Sequence, residues 1–191
     1  MAEDSEFLLG ILLEENKHVN IFDYVIKDNT NNYYCLCVCL EIIKNKDDIS
    51  NSFFESNLFL EKYFDIYANG LSNYYKIIDS SSGSRQVYLD EALTQYDLKM
   101  TTTTMSLLLT NEENRNAIVS ILENIKLNHS YAIILRNEIA FTIIHHISDE
   151  YILIDPHVEY SGILTQKGIF KYLVYDDIWN FDVSVIQCDN N

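Results

Sequence analysis

The sequence predicts an α+β fold, in which helices from the first half pack on a mostly antiparallel sheet made from the second half. Apolar residues recur at helical spacing over the first half, whereas the second half has short β-rich runs joined by hairpin-length polar turns. With 191 residues, 48% of them hydrophobic, the chain is long enough to bury a substantial core. We therefore expect one domain over residues 1–191, helix-rich over 1–97 and strand-rich over 98–191.

The predicted helices follow from apolar faces and polar start signals. The polar turn from Asp28 to Asn32 precedes one helix start. Thr110 can cap another helix, whose first turn carries Glu112 and Glu113 beside the positive end of the helix dipole. In chain order we expect helices at Ser5–Glu15, Tyr34–Lys46, Ser56–Asn69, Tyr88–Tyr96 and Asn111–Ile125, and a short one near Ile169–Trp179.

The predicted strands are apolar and β-branched runs bounded by polar turns. Arg136–Glu138 and Ser148–Glu150 are the turns that separate three of these runs. The expected strands are Thr101–Leu109, Tyr131–Leu135, Ile139–Ile147, Tyr151–Ile154 and Val183–Cys188, the last of which closes the sheet. Val19–Ile26 is ambiguous between a helix and an extended segment.

The chain is strongly acidic, with 13 Lys and Arg against 29 Asp and Glu and a formal net charge of −16. Such a surface repels nucleic acid phosphates and anionic membranes, so we expect neither as a partner. The acidic residues are scattered, which favours a solvated surface over a DNA mimic and leaves a basic protein partner as the sharper alternative. Abundant Asn, Ile and Tyr, with one Pro and five Gly, are typical of an AT-rich genome such as that of a virus, an intracellular bacterium or a protist.

The four cysteines predict neither a disulfide framework nor a zinc site. Cys35, Cys37 and Cys39 crowd on one predicted helix, and no paired Cys-x-x-Cys pattern occurs. The start of the chain lacks the basic flank of a signal peptide, and the apolar run Phe7–Leu13 is too short to span a bilayer. We therefore expect a reducing, cytosol-like compartment, and neither a metal nor a cofactor.

The one proline of the chain separates an acid from an imidazole, in the run Asp155-Pro156-His157. The apolar residues before it predict a buried strand. Side chains alternate along a strand, so Asp155 and His157 are expected to point the same way, with Cα atoms about 7 Å apart. Pro156 cannot donate to a sheet ladder, so the strand should end here. An oriented acid–imidazole pair at a strand tip is what nucleophilic catalysis needs from a base and its orienting group.

Cys35 is the candidate nucleophile, because it lies just inside a predicted helix start. The partial positive charge of a helix N-terminus lowers the pKa of a thiol towards the reactive thiolate. Cys37 and Cys39 lie deeper in the same helix among apolar residues, where buried thiols act as small core residues. Taken alone, Cys35 is better explained as another core cysteine. The Asp-Pro-His run elsewhere in the chain shifts the balance towards catalysis.

A cysteine at an early helix start and an Asp-Pro-His run after a later strand resemble papain-like cysteine proteases of the Asp-x-His type. These include the herpesvirus large tegument protein deubiquitinases, the ubiquitin-fold-modifier proteases and the autophagins, and the last two typically carry Asp-Pro-His itself. The similarity lies in Cys35–Leu40 and Ala132–Gly162 and covers roughly half of the chain. It implies a papain-like fold with Cys35 as nucleophile, His157 as base and Asp155 as the acid that orients the base.

The residues upstream of Cys35 depart from the family pattern. Tegument enzymes tend to have Gln beside the nucleophile and autophagins a Trp-Gly pair, whereas two tyrosines precede the cysteine here. The family supplies its oxyanion donor from an upstream Gln or Tyr together with backbone N–H groups. Asn20 and Tyr24 are the upstream candidates, and Asn31 or Asn32 lies nearer.

His145 and His146 offer a rival base, because many papain-like enzymes place the histidine and its acid on neighbouring strands. If the turn pairs Ile147 with Tyr151, His145 shares the face of Asp155 and His146 points to the other side. Packing inside a strand explains both histidines more simply than catalysis does.

The resemblance implies a cysteine isopeptidase, or deubiquitinase, that cleaves ubiquitin or a ubiquitin-like modifier from target proteins. We expect it to belong to a virus or pathogen and to act in the host cytoplasm or nucleus. The alternative is a catalytically inactive relative that binds a host protein through its acidic, aromatic surface. A metal site made of His145, Asp155 and His157 has no fourth-ligand pattern and is the least favoured reading.

Overall fold

The structure is a computed structural model that describes residues 19–21, 34–52, 56–80, 89–96, 101–107, 112–128, 131–136, 139–156, 160–174 and 181–188. Within these ranges the chain forms six helices and a seven-stranded sheet, so the predicted α+β class is confirmed. The expected helix Ser5–Glu15 and the turn Asp28–Asn32 lie outside the described residues. The extent of the single domain stays a prediction.

The sheet is antiparallel throughout the described strands. Its strand order is β1-β6-β5-β4-β3-β7-β2. The strands are β1 (Val19–Ile21), β2 (Thr101–Leu107), β3 (Tyr131–Arg136), β4 (Ile139–His145), β5 (Glu150–Asp155), β6 (Tyr160–Thr165) and β7 (Phe181–Cys188). We expected β7 to close the sheet, but it lies between β3 and β2, and β2 forms the edge.

The sequence did not predict β6, because its Ser161 and Gly162 are weak strand formers. In the structure Ser161 pairs with Ile154 of β5 on one side and with Asn20 of β1 on the other. Pairing on both sides outweighs the local preference, since strand propensity depends on the tertiary setting more than on the backbone alone.

The helices are α1 (Cys35–Lys44), α2 (Lys46–Ser52), α3 (Ser56–Ser80), α4 (Leu89–Tyr96), α5 (Glu112–Asn128) and α6 (Gln166–Val174). Several boundaries differ from the sequence prediction by a few residues, and two of the differences affect the helices around α1. The helix expected over Tyr34–Lys46 ends at Lys44, and a separate helix, α2, begins after Asn45. The third helix runs on to Ser80 instead of stopping at Asn69. None of the described helices is both long and apolar enough to cross a membrane.

Gly70 lets α3 continue while it crosses α1 at close range. A Cβ atom added at Gly70 would lie 2.8 Å from the Cα of Val38 and 2.9 Å from its Cγ2. Glycine disfavours a helix interior by itself, because it loses more backbone entropy than alanine. Here the absent side chain allows the two helices to pack, so a residue that reads as a helix stop lies in the middle of the helix.

The helices cover both faces of the sheet. One buried cluster joins α1, α3 and α4 to sheet residues that include Ile152 and Ile154. The other joins α5 and α6 to sheet residues that include Tyr151 and Leu153. Successive residues of β5 thus enter opposite clusters, which is the alternation expected of a strand buried on both faces.

A polar network holds α1 against the two helices that pack on it. Glu41 of α1 is buried at 4% exposure. Its backbone carbonyl accepts a hydrogen bond from the Asn45 amide at 2.8 Å. The Asn73 amide of α3 donates to the Tyr96 hydroxyl of α4 at 2.9 Å, and that hydroxyl donates to the Cys37 carbonyl at 3.1 Å. Buried polar groups are costly unless they are paired, so these hydrogen bonds favour one packing position of α1 against its neighbouring helices.

The β4–β5 hairpin has a different register from the one considered in the sequence. His145 pairs with Tyr151, and β4 ends at His145 instead of Ile147. The turn is closed by the Glu150 N–H, which donates to the Ile147 carbonyl at 2.9 Å. Ser148 takes a left-handed φ of 48° in this turn. Ile147 therefore belongs to the tight turn, although its β-branched side chain favours a strand and the expected strand included it.

Candidate active site

Cys35 is the first residue of α1, one residue after the predicted helix start. Tyr34 precedes it, and its ring contacts Tyr67 of α3 edge-on, with centroids 5.6 Å apart. Cys35, Cys37 and Cys39 are free thiols with 0% exposure. They are buried because the first six residues of α1 are all apolar and the helix lies between the sheet and two other helices.

The Cys35 thiol lies against the first residues of β4. The backbone of Ala140 forms a hydrogen bond with it, and the negative charge of Asp155 acts on it. Thr142 of β4 pairs with Ile154 of β5, and Ala140 is two residues before Thr142. Because the strands are antiparallel, Ala140 lies near the end of β5 at Asp155. The first residue of α1 and the last residue of β5 therefore lie at the same end of the sheet.

Burial decides the ionisation of this thiol. Loss of solvent is the largest cause that raises the pKa of Cys35, and the negative charge of Asp155 raises it further. Backbone hydrogen bonds from Ala140 and from Cys35 itself act in the opposite direction but do not outweigh burial. The lowered pKa expected from the helix start is therefore wrong for this arrangement, because the helix N-terminus contributes less than desolvation costs.

Burial also raises the pKa of the other two thiols of α1. Burial raises the pKa of Cys37 to about 12. It also raises the pKa of Cys39, with smaller contributions from Cys35 and Asp155. A thiolate at Cys35 requires a cation close to the sulfur, because a carboxylate alone opposes the charge. The sequence nominates the His157 imidazole for this role, and His157 lies outside the described residues.

Asp155 ends β5, as Pro156 predicted, and Pro156 itself lies in a turn. The Asp155 carboxylate is 5% exposed, and its Oδ2 accepts a hydrogen bond from the Tyr172 hydroxyl of α6 at 2.5 Å. By strand alternation, and by this contact, Asp155 points to the face that α6 covers, opposite to the face of α1. Because β5 stops here, strand alternation gives no information about position 157.

Of the two oxyanion candidates, Asn20 is described and Tyr24 is not. Asn20 is the middle residue of β1, and its backbone pairs with Ser161, which pairs in turn with Ile154. The Asn20 backbone thus lies two strands from the penultimate residue of β5. Asn31 and Asn32, the nearer candidates, also lie outside the described residues.

The rival base His145 lies at the opposite end of the hairpin from Asp155. Its partner Tyr151 precedes Asp155 by four residues, which corresponds to about 13 Å along a strand. The His145 Nε2 is 3.1 Å from the Ser148 carbonyl, and its ring contacts Tyr151 edge-on. Burial lowers the pKa of His146, its neighbour. His145 and Asp155 are thus too far apart to share one proton or one metal ion.

The described part of the chain holds no group of three or more His, Cys, Asp or Glu side chains arranged to bind a metal ion.

Tyr172 is the site residue that sequence reasoning missed. It follows Asp155 by 17 residues and lies on the apolar face of α6 with Ile169 and Leu173. Its position in that apolar pattern predicts a core aromatic. The pattern carries no signal that its hydroxyl meets a carboxylate, because this contact arises from the docking of α6 on the sheet.

No family model matches the chain, and no curated protein matches it. Among solved structures, the chain is similar to the crystal structure of a ubiquitin-specific protease encoded by a tegument protein of murine cytomegalovirus, in complex with a ubiquitin-based suicide substrate. The TM-score is 0.53 with 9% sequence identity, over 81% of this chain and 76% of that chain. The similarity shows a shared fold, in agreement with the tegument-type resemblance that the sequence carries.

Proposed function

We propose that this chain is a cysteine isopeptidase of a virus or pathogen that removes ubiquitin or a ubiquitin-like modifier from target proteins. One observation carries the proposal: Cys35, at the start of α1, lies against Ala140 of β4 at the end of the sheet where β5 stops at Asp155, although 120 positions separate Cys35 from Asp155. The fold shared with a viral ubiquitin-specific protease supports it. We further propose ubiquitin or a related modifier and its conjugates as the partners, and the host cytoplasm or nucleus as the place of action.

In the proposed reaction, the Cys35 sulfur attacks the carbonyl carbon at the C-terminal glycine of the modifier. His157 takes the thiol proton and then gives it to the lysine amine of the target as the isopeptide bond breaks. Water hydrolyses the resulting thioester and restores the thiol. Asp155 orients the imidazole and stabilises its cationic form, which offsets the penalty that burial and the carboxylate impose on the thiolate. Asn20 or Tyr24, with backbone N–H groups at the start of α1, would stabilise the oxyanion.

The burial of Cys35 favours a second candidate function. A thiol with 0% exposure and a raised pKa is a poor nucleophile unless a cation lies beside it or substrate binding exposes it. A chain that kept the fold without meeting either condition would be a catalytically inactive binding protein for a host factor. Its acidic surface and aromatic residues would then contact a partner of opposite charge.

Covalent labelling separates the two candidates. The folded chain is incubated with ubiquitin that carries a C-terminal electrophile, and in parallel with other modifiers that carry the same group. Intact mass and peptide mapping then identify the adduct. We expect one modifier to label Cys35, and we expect Cys35→Ala to lose this adduct. Cys37→Ala is the matched control, because it removes an equally buried thiol of the same helix and should keep the label.

The outcome is decisive in each direction. An adduct at Cys37 or Cys39 would show that the nucleophile is wrongly assigned. The absence of any adduct, in a wild-type chain shown to be folded by circular dichroism, would overturn the isopeptidase proposal and favour the inactive binding protein.

A further inference from the structure

The Asp155 carboxylate is held by a group that comes from the opposite side of the sheet to Cys35. The Tyr172 hydroxyl donates to Asp155 Oδ2, and the two residues are only 7% and 5% exposed. The Tyr172 ring packs edge-on against Phe141 of β4, with centroids 5.5 Å apart. Because packing fixes the ring, its hydroxyl defines one direction for the carboxylate.

The titratable groups near this carboxylate come from helices on both sides of the sheet. From α1, Cys35 and Cys39 are close enough for the Asp155 charge to raise the pKa of each. From α6, the Tyr172 hydroxyl contacts it directly, and the described neighbour on β4, Phe141, is apolar. A hydroxyl that donates a hydrogen bond to a carboxylate stabilises the charged form of that group relative to the protonated form.

We propose that Tyr172 is a positioning residue. Its hydroxyl holds one oxygen of the Asp155 carboxylate in place, so that the carboxylate can orient the base that serves Cys35. This inference rests on the proposed function and deepens it, because it adds a residue that acts on the reaction through Asp155 without touching the substrate.

Tyr151 provides a matched control for Tyr172, because it lies on the same strand as Asp155 and points to the same face of the sheet. It is 1% exposed, and its hydroxyl donates to the Leu122 carbonyl of α5 at 3.1 Å. Tyr151→Phe and Tyr172→Phe each remove one buried hydroxyl and one hydrogen bond. The first loses a bond to a peptide carbonyl near the hairpin turn, and the second loses a bond to the Asp155 carboxylate.

The first test measures kcat and KM against pH, with a C-terminally fluorogenic form of the modifier that labels Cys35. In Tyr172→Phe we expect kcat to fall about tenfold, as loss of a hydrogen bond to a charged group predicts, while KM changes less than about twofold. The acidic limb of the profile should move to higher pH, because the Asp155 carboxylate loses a donor that stabilises its charge. Tyr151→Phe should keep kcat and the acidic limb, with a similar loss in Tm.

The second test does not depend on turnover. The carboxyl carbon of Asp155, assigned by its disappearance in Asp155→Asn, is titrated by ¹³C NMR in the wild type and both variants. We expect Tyr172→Phe to raise the pKa of Asp155 and Tyr151→Phe to leave it unchanged. In parallel, the pH dependence of iodoacetamide alkylation at Cys35 should change in Tyr172→Phe alone.

These measurements separate failure of the inference from failure of the proposed function. Equal kcat in Tyr172→Phe and wild type, or equal losses in both variants, overturns the positioning role and leaves the isopeptidase intact. If the wild type reacts with no modifier probe, the proposed function fails, and the titration and alkylation decide the inference. Unchanged Asp155 titration and Cys35 alkylation in Tyr172→Phe would then overturn it as well.

Discussion

The two ends of the β4–β5 hairpin each carry a residue that could take part in acid–base chemistry, His145 at one end and Asp155 at the other. The surroundings of these two residues differ strongly. At the turn, His145 pairs with Tyr151 next to the exposed residues Ile147, Ser148 and Asp149. At the other end, Asp155 is 5% exposed, and its negative charge raises the pKa of the Cys35 thiol at the start of α1. The surroundings of a histidine or an acid thus depend on what packs at its end of the strand, and its residue type alone does not determine them.

The electrostatics of the two ends differ for the same reason. Near the turn, Lys126 of α5 forms a salt bridge with Asp149 at 2.5 Å, between side chains that keep 31% and 75% of their exposure. Water screens such a pair, so it contributes little to stability. At the buried end, loss of solvent raises the pKa of all three thiols of α1. A thiolate formed at this end needs a cation beside it. The proposed reaction has to meet this requirement.

The largest expected effect is the loss of turnover in Cys35→Ala. Without the sulfur no thioester forms, so kcat/KM on a fluorogenic modifier substrate should fall at least about a thousandfold. Cys37→Ala and Cys39→Ala, in contrast, should lower the free energy of unfolding by about 1–2 kcal/mol through lost packing and keep turnover. If Cys35→Ala kept full activity, Cys37 would be the next candidate.

The second effect contrasts the two ends of the hairpin directly. Asp155→Asn should lower kcat by roughly a hundredfold or more, because an amide cannot stabilise an imidazolium as a carboxylate does. We expect His157→Ala to be at least as damaging, and His145→Ala to change kcat/KM less than about twofold. Kinetics of the folded variants check this. Loss of activity in His145→Ala with activity kept in His157→Ala would move the base to the turn end and break the comparison.

A third, smaller effect concerns the close packing of α1 against α3 at Gly70. Alanine usually stabilises a helix interior by about 0.5–1 kcal/mol relative to glycine. Gly70→Ala should do the reverse and destabilise the fold by about 1–3 kcal/mol, because its Cβ would meet the backbone of Val38. Urea unfolding measures the difference. The exposed Ser72→Ala on the same helix is the control, and it should be neutral or slightly stabilising. A stabilised Gly70→Ala would show that α1 and α3 are not in close contact.

The smallest effect belongs to the turn end and depends on pH. The hydrogen bond with Lys126 lowers the pKa of Asp149, so the pair contributes stability above the carboxyl pKa of the unfolded chain. That contribution disappears as pH falls through the lowered pKa. Asp149→Asn should therefore reduce Tm by at most about 2 °C at pH 7 and by less than that at about pH 2. Thermal melts at both pH values check this, and a larger loss at low pH would contradict it.

Local signals predicted the parts of the fold that depend on local physics. The end of β5 at Asp155 follows from a proline that cannot donate to a ladder, and the start of α1 follows from a polar turn before an apolar run. The continuation of α3 past Gly70 and the inclusion of Ser161 in β6 were missed. Both depend on close packing or pairing with distant segments, which a window of neighbouring residues does not contain.

For the candidate site, the sequence alone determined which residues could do chemistry: a cysteine at a helix start and an acid beside a proline at a strand end. His157, Tyr24 and the oxyanion role of Asn20 stay predictions. The tertiary structure decided that Cys35 and Asp155 lie at the same end of the sheet, and that the Tyr172 hydroxyl donates to the Asp155 carboxylate. It also decided the sign of the thiol pKa shift, because desolvation depends on everything packed around a group, whereas the helix dipole depends on position along the chain.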